Sequence, residues 1–252
     1  ILVMKNFNKF SYYLFISLFY YGTINVAFSQ KADLLKSYSW RAIGPANMGG
    51  RVTDIDGVPG DPSTFYVSGA DGGIHKTVDG GVSFSPIFEK QRAYSIGALT
   101  IAGSDKNVLW VGTGEGDPRN SVGYGWGVYR SVNGGESWKH LGLKKTERIK
   151  RIVVDPNNPD VACVCALGKE WGPNKERGVF KTSDGGKTWD KILYVDENTG
   201  CADIAMENEN PRIMYAGMWT FRRKPWRFDD GGKNTAIYKT LDGGATWKKI
   251  MN

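Results

Sequence analysis

Residues 182–189 read Thr-Ser-Asp-Gly-Gly-Lys-Thr-Trp, and the same eight-residue pattern occurs at residues 77–84, 131–138 and 240–247. Each copy begins with Thr or Ser, has Asp or Asn third, Gly-Gly next, a hydroxyl residue seventh and an aromatic residue last. The Asp or Asn positions are 54, 51 and 58 residues apart. A repeat of roughly 50 residues with turn signals of the β type indicates the blades of a β-propeller.

The chemistry of each copy is local. Asp or Asn followed by Gly-Gly predicts a tight hairpin turn, because glycine takes positive φ without steric cost. The third side chain can bond neighbouring backbone N–H groups and close the turn, and the final aromatic packs beside the hairpin. We therefore interpret the third residues as structural, in preference to a catalytic or calcium-binding role. They are Asp79, Asn133, Asp184 and Asp242.

Each repeat reads as four short strands, separated by turn signals such as Asp155-Pro156-Asn157-Asn158-Pro159. In the second repeat the predicted strands are 95–101, 108–113, 127–131 and 137–141, and in the third they are 149–154, 161–167, 178–182 and 188–193. The predicted fold is all-β: a propeller with four blades of four antiparallel strands, the first strand of each lining a central channel. The blades cover about residues 51–90, 94–143, 147–195 and 200–251.

Composition agrees with this fold and excludes others. Glycine supplies 33 of the 252 residues, and aromatic residues make up 13% of the chain. Collagen is excluded because the glycines have no three-residue period. Disorder is not expected with so many aromatic and β-branched residues, and glycine opposes a helix bundle at about 1 kcal/mol for each interior position.

The first 29 residues have the layout of a secretory signal peptide. Lys5 and Lys9 precede an apolar run at 12–19, and Ala27-Phe28-Ser29 supplies small residues for cleavage before Gln30. Residues 1–3 precede Met4, the expected natural start. The alternative is an uncleaved anchor, although the run is short for a membrane span. We expect a secreted or extracytoplasmic protein, with no stable membrane span after cleavage and a linker at 30–38.

One further segment predicts that the chain is part of a longer protein. Residues 39–44 (Ser-Trp-Arg-Ala-Ile-Gly) are similar to residues 137–142 and 246–250, which are predicted outer, fourth strands. An outer strand at the start would close a propeller ring on its last blade. The first three strands of that closing blade are absent, so we expect a fragment, with the partial propeller at 39–252.

Net charge, cysteines and histidines bear on which binding partners, disulfides and cofactors are expected. The net charge of +7 becomes 31 − 26 = +5 after the two lysines of the signal segment are removed, and this mild excess does not predict nucleic-acid binding. The three cysteines (Cys163, Cys165 and Cys201) do not form a disulfide framework for a chain of this length. Cys163 and Cys165 face one side of a strand and are interpreted as small buried hydrophobes. With only two histidines, no metal or other cofactor is expected.

The repeats resemble the Asp-boxes (bacterial neuraminidase repeats) of sialidases, xyloglucanase-type glycoside hydrolases and sortilin-type receptors. The resemblance covers about residues 39–252. The run from Trp40 to Val52 is most similar to exported bacterial proteins with sortilin-like propellers. This resemblance implies the fold, whereas function has to be argued from sites.

The xyloglucanase-type resemblance implies a catalytic base Asp two residues before a Gly-Gly pair. In residues 66–76 that position falls on Ala70, and Asp71 is one place away. Glu115 and Asp117 are the other weak catalytic candidates. Glycoside hydrolysis normally uses two carboxylates, and the family's second one belongs to a second propeller outside this sequence. No sialidase-type arginine triad is recognisable. An N-terminal propeller of a glycoside hydrolase is therefore the alternative function.

The first choice is a binding function at the long-loop face, which consists of the loops at 115–126, 169–175 and 219–227. Trp and Arg dominate interface hot spots, aromatic rings stack on sugars, and arginine grips carboxylates. The partner is expected to be an extracytoplasmic polypeptide or glycan. Packing of the tryptophans between blades and solvation of the arginines is the structural alternative. The predicted ligand-binding residues are Arg51, Arg119, Trp126, Trp171, Trp219, Arg222, Arg223, Trp226 and Arg227.

Overall fold

A computed structural model describes residues 50–251, which form antiparallel β-sheets and one 3-10 helix at Lys144–Thr146. The predicted signal peptide (1–29), the linker (30–38) and the closing strand (39–44) lie outside the described residues. The all-β prediction is confirmed, because four successive sheets follow one another along the chain, each built around four antiparallel strands.

The strands within each sheet are paired in chain order, as in a meander. Sheet 1 contains β1 (Val52–Gly57), β2 (Phe65–Gly69), β3 (Gly73–Thr77) and β4 (Ser85–Pro86). Sheet 2 contains β5 (Ile96–Ala102), β6 (Asp105–Thr113), β7 (Val128–Ser131) and β8 (Lys139–His140). Sheet 3 contains β9 (Ile149–Asp155), β10 (Asn158–Ala166), β11 (Gly178–Thr182) and β12 (Asp190–Leu193). Sheet 4 contains β13 (Thr199–Met206), β14 (Met214–Lys224), β16 (Ala236–Thr240) and β17 (Lys248–Met251), and β15 (Arg227–Asp230) pairs with β14.

The Gly-Gly turns (77–84, 131–138, 182–189 and 240–247) join the third strand of each sheet to the fourth. In the third turn, Asp184 Oδ1 accepts from the backbone N–H of Thr188 at 3.0 Å, and Asp184 Oδ2 accepts from the Thr188 hydroxyl at 2.7 Å. Thr182 Oγ1 accepts from the Gly186 N–H at 2.9 Å. Both glycines have positive φ, 72° and 86°. The other three turns repeat the bond from the seventh residue to the third.

The same bonds explain why the fourth strands are shorter than predicted. β8 covers only Lys139 and His140, although residues 137–141 were expected to be extended. The Ser137 N–H donates to Asn133 Oδ1 at 2.9 Å. That donor is therefore committed to closing the turn and does not take part in the ladder.

The core consists of apolar layers between neighbouring sheets, and the tryptophans that end the turns belong to these layers. Trp138 donates its indole N–H to the Ile87 carbonyl of sheet 1 at 2.8 Å, and Trp189 donates to the Leu141 carbonyl of sheet 2 at 2.7 Å. Trp189 also lies edge-on to the fully buried Trp110, with ring centroids 6.1 Å apart. The turns at 131–138 and 182–189 are therefore attached to the preceding sheet, whereas the indole N–H of Trp247 in the fourth turn has no hydrogen-bond partner within residues 50–251.

The interpretation of Cys163 and Cys165 as small buried hydrophobes is wrong for Cys165, which forms a disulfide. Cys165 on β10 and Cys201 on β13 form a disulfide between sheets 3 and 4, with their Cα atoms 5.0 Å apart. Cys163 is a buried free thiol in the same apolar cluster. Counting three cysteines could not reveal the pair, because the pairing depends on two strands that lie 36 residues apart in sequence and meet only when the sheets pack.

The stretch predicted as a loop at 219–227 is largely a β-hairpin. β14 continues beyond sheet 4, and its residues Phe221–Lys224 pair with Arg227–Asp230 of β15. Only Pro225 and Trp226 remain as the connection at the tip. The sequence did not indicate this hairpin, because its connection lacks the Asn-Gly or Gly-containing signal of common two-residue turns.

Candidate functional site

The long-loop face lies at the ends of the sheets opposite the Gly-Gly turns. In an antiparallel meander, the connection from the second to the third strand and the connection from the third to the fourth leave opposite ends of the sheet. Bonds between these loops join three sheets: the Arg223 guanidinium contacts the Asn120 amide, and the Arg223 backbone N–H donates to the Glu170 carbonyl at 3.4 Å. Sheets 2, 3 and 4 therefore share one surface here.

Arg51, immediately before β1, is the centre of a charged cluster on this face. Its Nε donates to Glu115 Oε1 at 2.9 Å, and Glu115 is fully buried. The bond to Glu115 raises the pKa of Arg51, and the nearby charges of Asp71 and Asp117 raise it further. Asp117 also forms an ion pair with Lys150, with Oδ1 and Nζ 2.5 Å apart. The structure thus brings all three candidate carboxylates close to Arg51.

A second ion pair, Arg148 with Glu170, is buried beneath the loops of sheet 3. Both side chains are 1% exposed, and Arg148 Nε also donates to the Gly168 carbonyl at 2.7 Å. Burial, followed by the charge of Arg177, lowers the pKa of Arg148 to about 9, which keeps it charged at neutral pH. Arg148 and Arg177 both lie over the ring of Phe221, with their Cζ atoms 5.3 and 4.6 Å from its centroid. The base of the β14–β15 hairpin is held in this way.

Arg177 supports the loop that carries Trp171. Its guanidinium donates to the carbonyls of Lys169 at 2.7 Å and Gly172 at 3.3 Å, one on each side of Trp171. It also donates to the carbonyl of Glu197 at 3.0 Å. The Trp171 ring remains 41% exposed. A buried arginine that satisfies several carbonyls fixes a loop that would otherwise lack backbone partners.

Sequence reasoning missed Arg148, Glu170 and Arg177 as parts of the site. One signal was available: Arg148 precedes β9 as Arg51 precedes β1, so the two arginines occupy equivalent positions in their repeats. Glu170 and Arg177 have no such mark, because their importance comes from burial and from contacts between loops.

Two clefts open on the long-loop face. The arginine cleft, between sheets 3 and 4, has a volume of about 540 Å³. Its lining is Trp171, Asn198, Thr220, Phe221, Arg222, Arg223, Lys224, Pro225, Asp229 and Gly231. The lysine cleft, between sheets 2 and 3, has a volume of about 690 Å³. Its lining is Tyr124, Gly125, Trp126, Lys144, Lys145, Glu147, Lys169, Pro173, Asn174, Lys175 and Glu176. Both volumes are in the range of ligand sites.

Some of the predicted ligand-binding tryptophans are exposed, and others pack against neighbouring side chains. Trp226, at the hairpin tip, is 81% exposed. Trp219 instead stacks on Phe221 at 4.8 Å, and its indole N–H donates to Asp230 at 2.7 Å. Trp126 is partly buried against the core between sheets 1 and 2, with Arg92 3.8 Å from its ring centroid.

The arginines also differ. The Arg222 guanidinium contacts the Asn198 amide. Arg227 is paired with Asp229. Arg119 is exposed and forms no ion pair with any residue between 50 and 251. The most accessible aromatic groups among the predicted residues are therefore Trp171 and Trp226.

Two further features concern residues 50–251 as a whole. In this part of the chain, no helix has the length and apolar character needed to cross a bilayer. No group of three or more His, Cys, Asp or Glu side chains there is arranged to hold a metal ion.

A family model described as Sortilin-Vps10 (Sortilin, neurotensin receptor 3) matches residues 127–252, which are 126 of the 252 residues. The chain belongs to the Sortilin-Vps10 family. The match covers β7 and every later strand, together with most of the long-loop face.

Two curated relatives of this Sortilin-Vps10 chain are xyloglucanases. It is 29% identical over 178 residues to an oligoxyloglucan-reducing end-specific xyloglucanase from Emericella nidulans, covering 68% of this chain and 20% of that protein. It is 23% identical over 240 residues to a xyloglucanase from Paenibacillus sp, covering 84% of this chain and 22% of that protein. The chain therefore spans about a fifth of the length of the curated relatives it matches.

Solved structures similar to the Sortilin-Vps10 chain agree on the fold. An ancestral GH74 enzyme superposes with a TM-score of 0.59 at 20% identity, covering 79% of this chain and 25% of the other. A GH74 enzyme from Niastella koreensis superposes with a TM-score of 0.58 at 20% identity, covering 79% of this chain and 30% of the other. The GH74 xyloglucanase from Xanthomonas campestris superposes with a TM-score of 0.57 at 19% identity, covering 84% of this chain and 32% of the other. The sortilin-like, xyloglucanase-type propeller prediction is confirmed.

Proposed function

We propose that the chain binds a polysaccharide at the arginine cleft. The observation that carries this proposal is the pair of exposed tryptophans at the cleft: Trp171 lines it, and Trp226 follows Pro225, which also lines it. Flat aromatic rings stack on the apolar faces of sugars. Arg222 and Asp229 supply polar groups for hydroxyls between them.

Both tryptophans stand on rigid supports. Arg177 fixes the carbonyls on either side of Trp171. Trp226 sits on a hairpin whose four residue pairs extend sheet 4, and Lys224 is paired with Asp229 across it at 3.1 Å. A preorganised surface loses less conformational entropy on binding, which favours affinity.

The chemical class of the ligand is supported by the relatives, whose names state that they act on xyloglucan or its oligosaccharides. A polypeptide ligand is the competing outcome of the test. The full-length protein should be titrated by calorimetry with soluble xyloglucan oligosaccharides and, in parallel, with a mixture of extended peptides.

Variants identify the site. Trp171→Ala and Trp226→Ala should each weaken oligosaccharide binding about fivefold, because one aromatic contact is worth about 1 kcal/mol. Phe84→Ala is the matched control, since Phe84 is 45% exposed in a Gly-Gly turn at the other end of the sheets. Unchanged affinity in both tryptophan variants, or binding of peptides alone, would refute the proposal.

The second candidate function is the N-terminal propeller of a glycoside hydrolase. It is favoured by the grouping of Asp71 and Asp117 around Arg51 on the same face. Glu115 is less suited to proton transfer, because it is fully buried and paired with Arg51. The full-length protein should be assayed on xyloglucan together with Asp71→Asn and Asp117→Asn variants. Turnover that neither variant lowers would remove these residues from the mechanism.

We also propose an exported, extracytoplasmic location and assign the Gly-Gly turns to the Asp-box type. Export is supported by the Cys165–Cys201 disulfide, because such bonds persist in oxidising compartments. Cell fractionation, with N-terminal sequencing of the mature chain, tests export and cleavage before Gln30. Recovery of the uncleaved chain in the cytoplasm would contradict it.

A further inference from the structure

We propose that the lysine cleft is a second binding site, specific for an anionic saccharide such as a uronate oligomer. This proposal does not rest on the arginine cleft, since the two clefts share no lining residue. It rests on three features of the lysine cleft: its uncompensated positive charge, its strained but well-bonded backbone, and its exposed tyrosine.

The charge is the first feature. Four lysines and two glutamates line the cleft. Glu147 is paired with Lys169 at 3.4 Å, and Glu176 is paired with Lys191 outside the cleft at 3.6 Å. Lys144, Lys145 and Lys175 remain, and none of them forms an ion pair with another residue in 50–251. All three are exposed, so the cleft presents three ammonium groups to a ligand.

The backbone is the second feature. Within residues 50–251, the only non-glycine residues with positive φ are Leu143 at 55° and Glu147 at 59°, and they flank the 3-10 helix that carries Lys144 and Lys145. Such conformations are disfavoured for residues with a Cβ and cluster where a surface has to be held in one arrangement. The Gly125 N–H donates to the Glu147 carbonyl at 2.8 Å. This bond fixes one end of the turn to the loop of sheet 2.

Asn174 fixes the opposite wall. It is 6% exposed, its Nδ2 donates to the Lys145 carbonyl at 3.0 Å, and its Oδ1 accepts from the Glu176 N–H at 2.7 Å. The lysine turn and the loop of sheet 3 are therefore joined by one buried amide. The spacing of Lys145 and Lys175 across the cleft follows from this bridge.

The aromatic lining points to a sugar ring instead of a small inorganic anion. Tyr124 is 64% exposed at the rim. Trp126 is already contacted by Arg92, and Lys144 Nζ lies 5.4 Å from its ring centroid. The Tyr124 ring is thus the accessible aromatic surface of the cleft that the three lysines also line. A carboxylated sugar can stack on the ring and place its acid group among the lysines.

The test is calorimetric titration of the full-length protein with tri-galacturonate, its fully methyl-esterified form and tri-glutamate. We expect binding of tri-galacturonate only, weakened as the salt concentration rises. The double variant Lys145→Gln/Lys175→Gln should lose about fivefold in affinity, as expected for two exposed charge pairs. Neither side chain takes part in the hydrogen bonds that fix the cleft, so the fold should be retained.

Controls separate this site from its surroundings. The matched charge control is Lys139→Gln/Lys187→Gln, two exposed lysines of which Lys139 directly follows a Gly-Gly turn and Lys187 lies within the next one. It should bind as the wild type does, and so should Trp171→Ala/Trp226→Ala, even if the arginine cleft binds nothing. Tyr124→Ala should lose affinity as well. Equal losses in the two lysine double variants would overturn the proposal. So would equal binding of the methyl ester or of tri-glutamate, or competition by inorganic phosphate at the same concentration.

Discussion

The disulfide between sheets 3 and 4 gives a quantitative prediction for stability. Removing it with Cys201→Ala releases a constraint on 36 residues of chain. In the chain-entropy model a loop of this length contributes about 2.1 + 1.5R ln 36, or roughly 13 cal/mol/K, which is about 4 kcal/mol at 25 °C. For a chain of this size that corresponds to a decrease in Tm of roughly 8–15 °C.

Cys163→Ala is the matched control, because Cys163 lies two residues from Cys165 and packs in the same apolar cluster. It removes the same kind of side chain without removing a cross-link. Burial raises the pKa of Cys163 to about 12, so it is expected to remain a protonated, unreactive thiol. We expect Cys163→Ala to cost about 1 kcal/mol, as most single core changes do.

Urea unfolding followed by tryptophan fluorescence, with and without dithiothreitol, measures the effect. The reductant should destabilise the wild type and Cys163→Ala and leave Cys201→Ala unchanged. Alkylation of the unfolded, unreduced protein should modify one cysteine. Modification of all three, or equal free energies of unfolding for the two variants, would refute the reasoning.

Three other predictions concern the turns and the buried charges. Hydrogen bonds in the turns, from the Ser83 hydroxyl first, lower the pKa of Asp79 to about 2, and the equivalent bonds lower the pKa values of Asp184 and Asp242. Their stabilisation is therefore complete above the unfolded pKa near 4 and is lost as pH falls toward about 2. The second turn already has Asn133 at this position. Converting all three aspartates to Asn should therefore reduce the dependence of the free energy of unfolding on pH between pH 4 and 2. A pH dependence equal to that of the wild type would contradict this. Glu170→Gln should cost about 3–5 kcal/mol in urea unfolding, because Arg148 would remain buried without its partner. Asp117→Asn, which breaks the exposed pair with Lys150, should lower the free energy of unfolding by less than about 1 kcal/mol. Equal losses for Glu170→Gln and Asp117→Asn would show that burial does not determine the strength of these pairs. Trp189→Phe should cost about 1–3 kcal/mol of stability, because the Leu141 carbonyl loses its donor. Trp226→Phe, at the exposed hairpin tip, should change stability by less than about 0.5 kcal/mol. Similar values for the two variants would exclude the bond from Trp189 to Leu141 as the cause.

The fold was predictable because its determinants are local. Hydrogen bonds within one turn join the Asp or Asn, the glycines and the seventh-position hydroxyl residue. An eight-residue pattern is therefore enough to predict the third and fourth strands of each repeat. The third strand of sheet 3 matches its predicted range, Gly178–Thr182. β8 is shorter than its predicted range because the Ser137 N–H bonds within the turn, and β6 and β10 each begin three residues before their predicted starts.

The site was predictable only in part, because its connections are not local. Aromatic and basic composition indicated the long-loop face, and the structure brings Arg51, Asp71, Glu115 and Asp117 together there. The Arg148–Glu170 pair could not be foreseen, since neither residue type is normally buried and their pairing requires two loops to fold over them. Trp219 illustrates the reverse: it was expected at the surface, yet it packs on Phe221 within the hairpin.

The bonds from Trp138 and Trp189 to the preceding sheets have a consequence for how such chains grow. In sheets 2 and 3 the unit itself carries the indole donor, and its predecessor contributes only a backbone carbonyl, which every amino acid possesses. A copy of either unit made by gene duplication would therefore already be able to form this hydrogen bond to the unit before it, with no matching substitution needed. Nearest-neighbour attachment of this kind lets the number of units change while each interface is preserved.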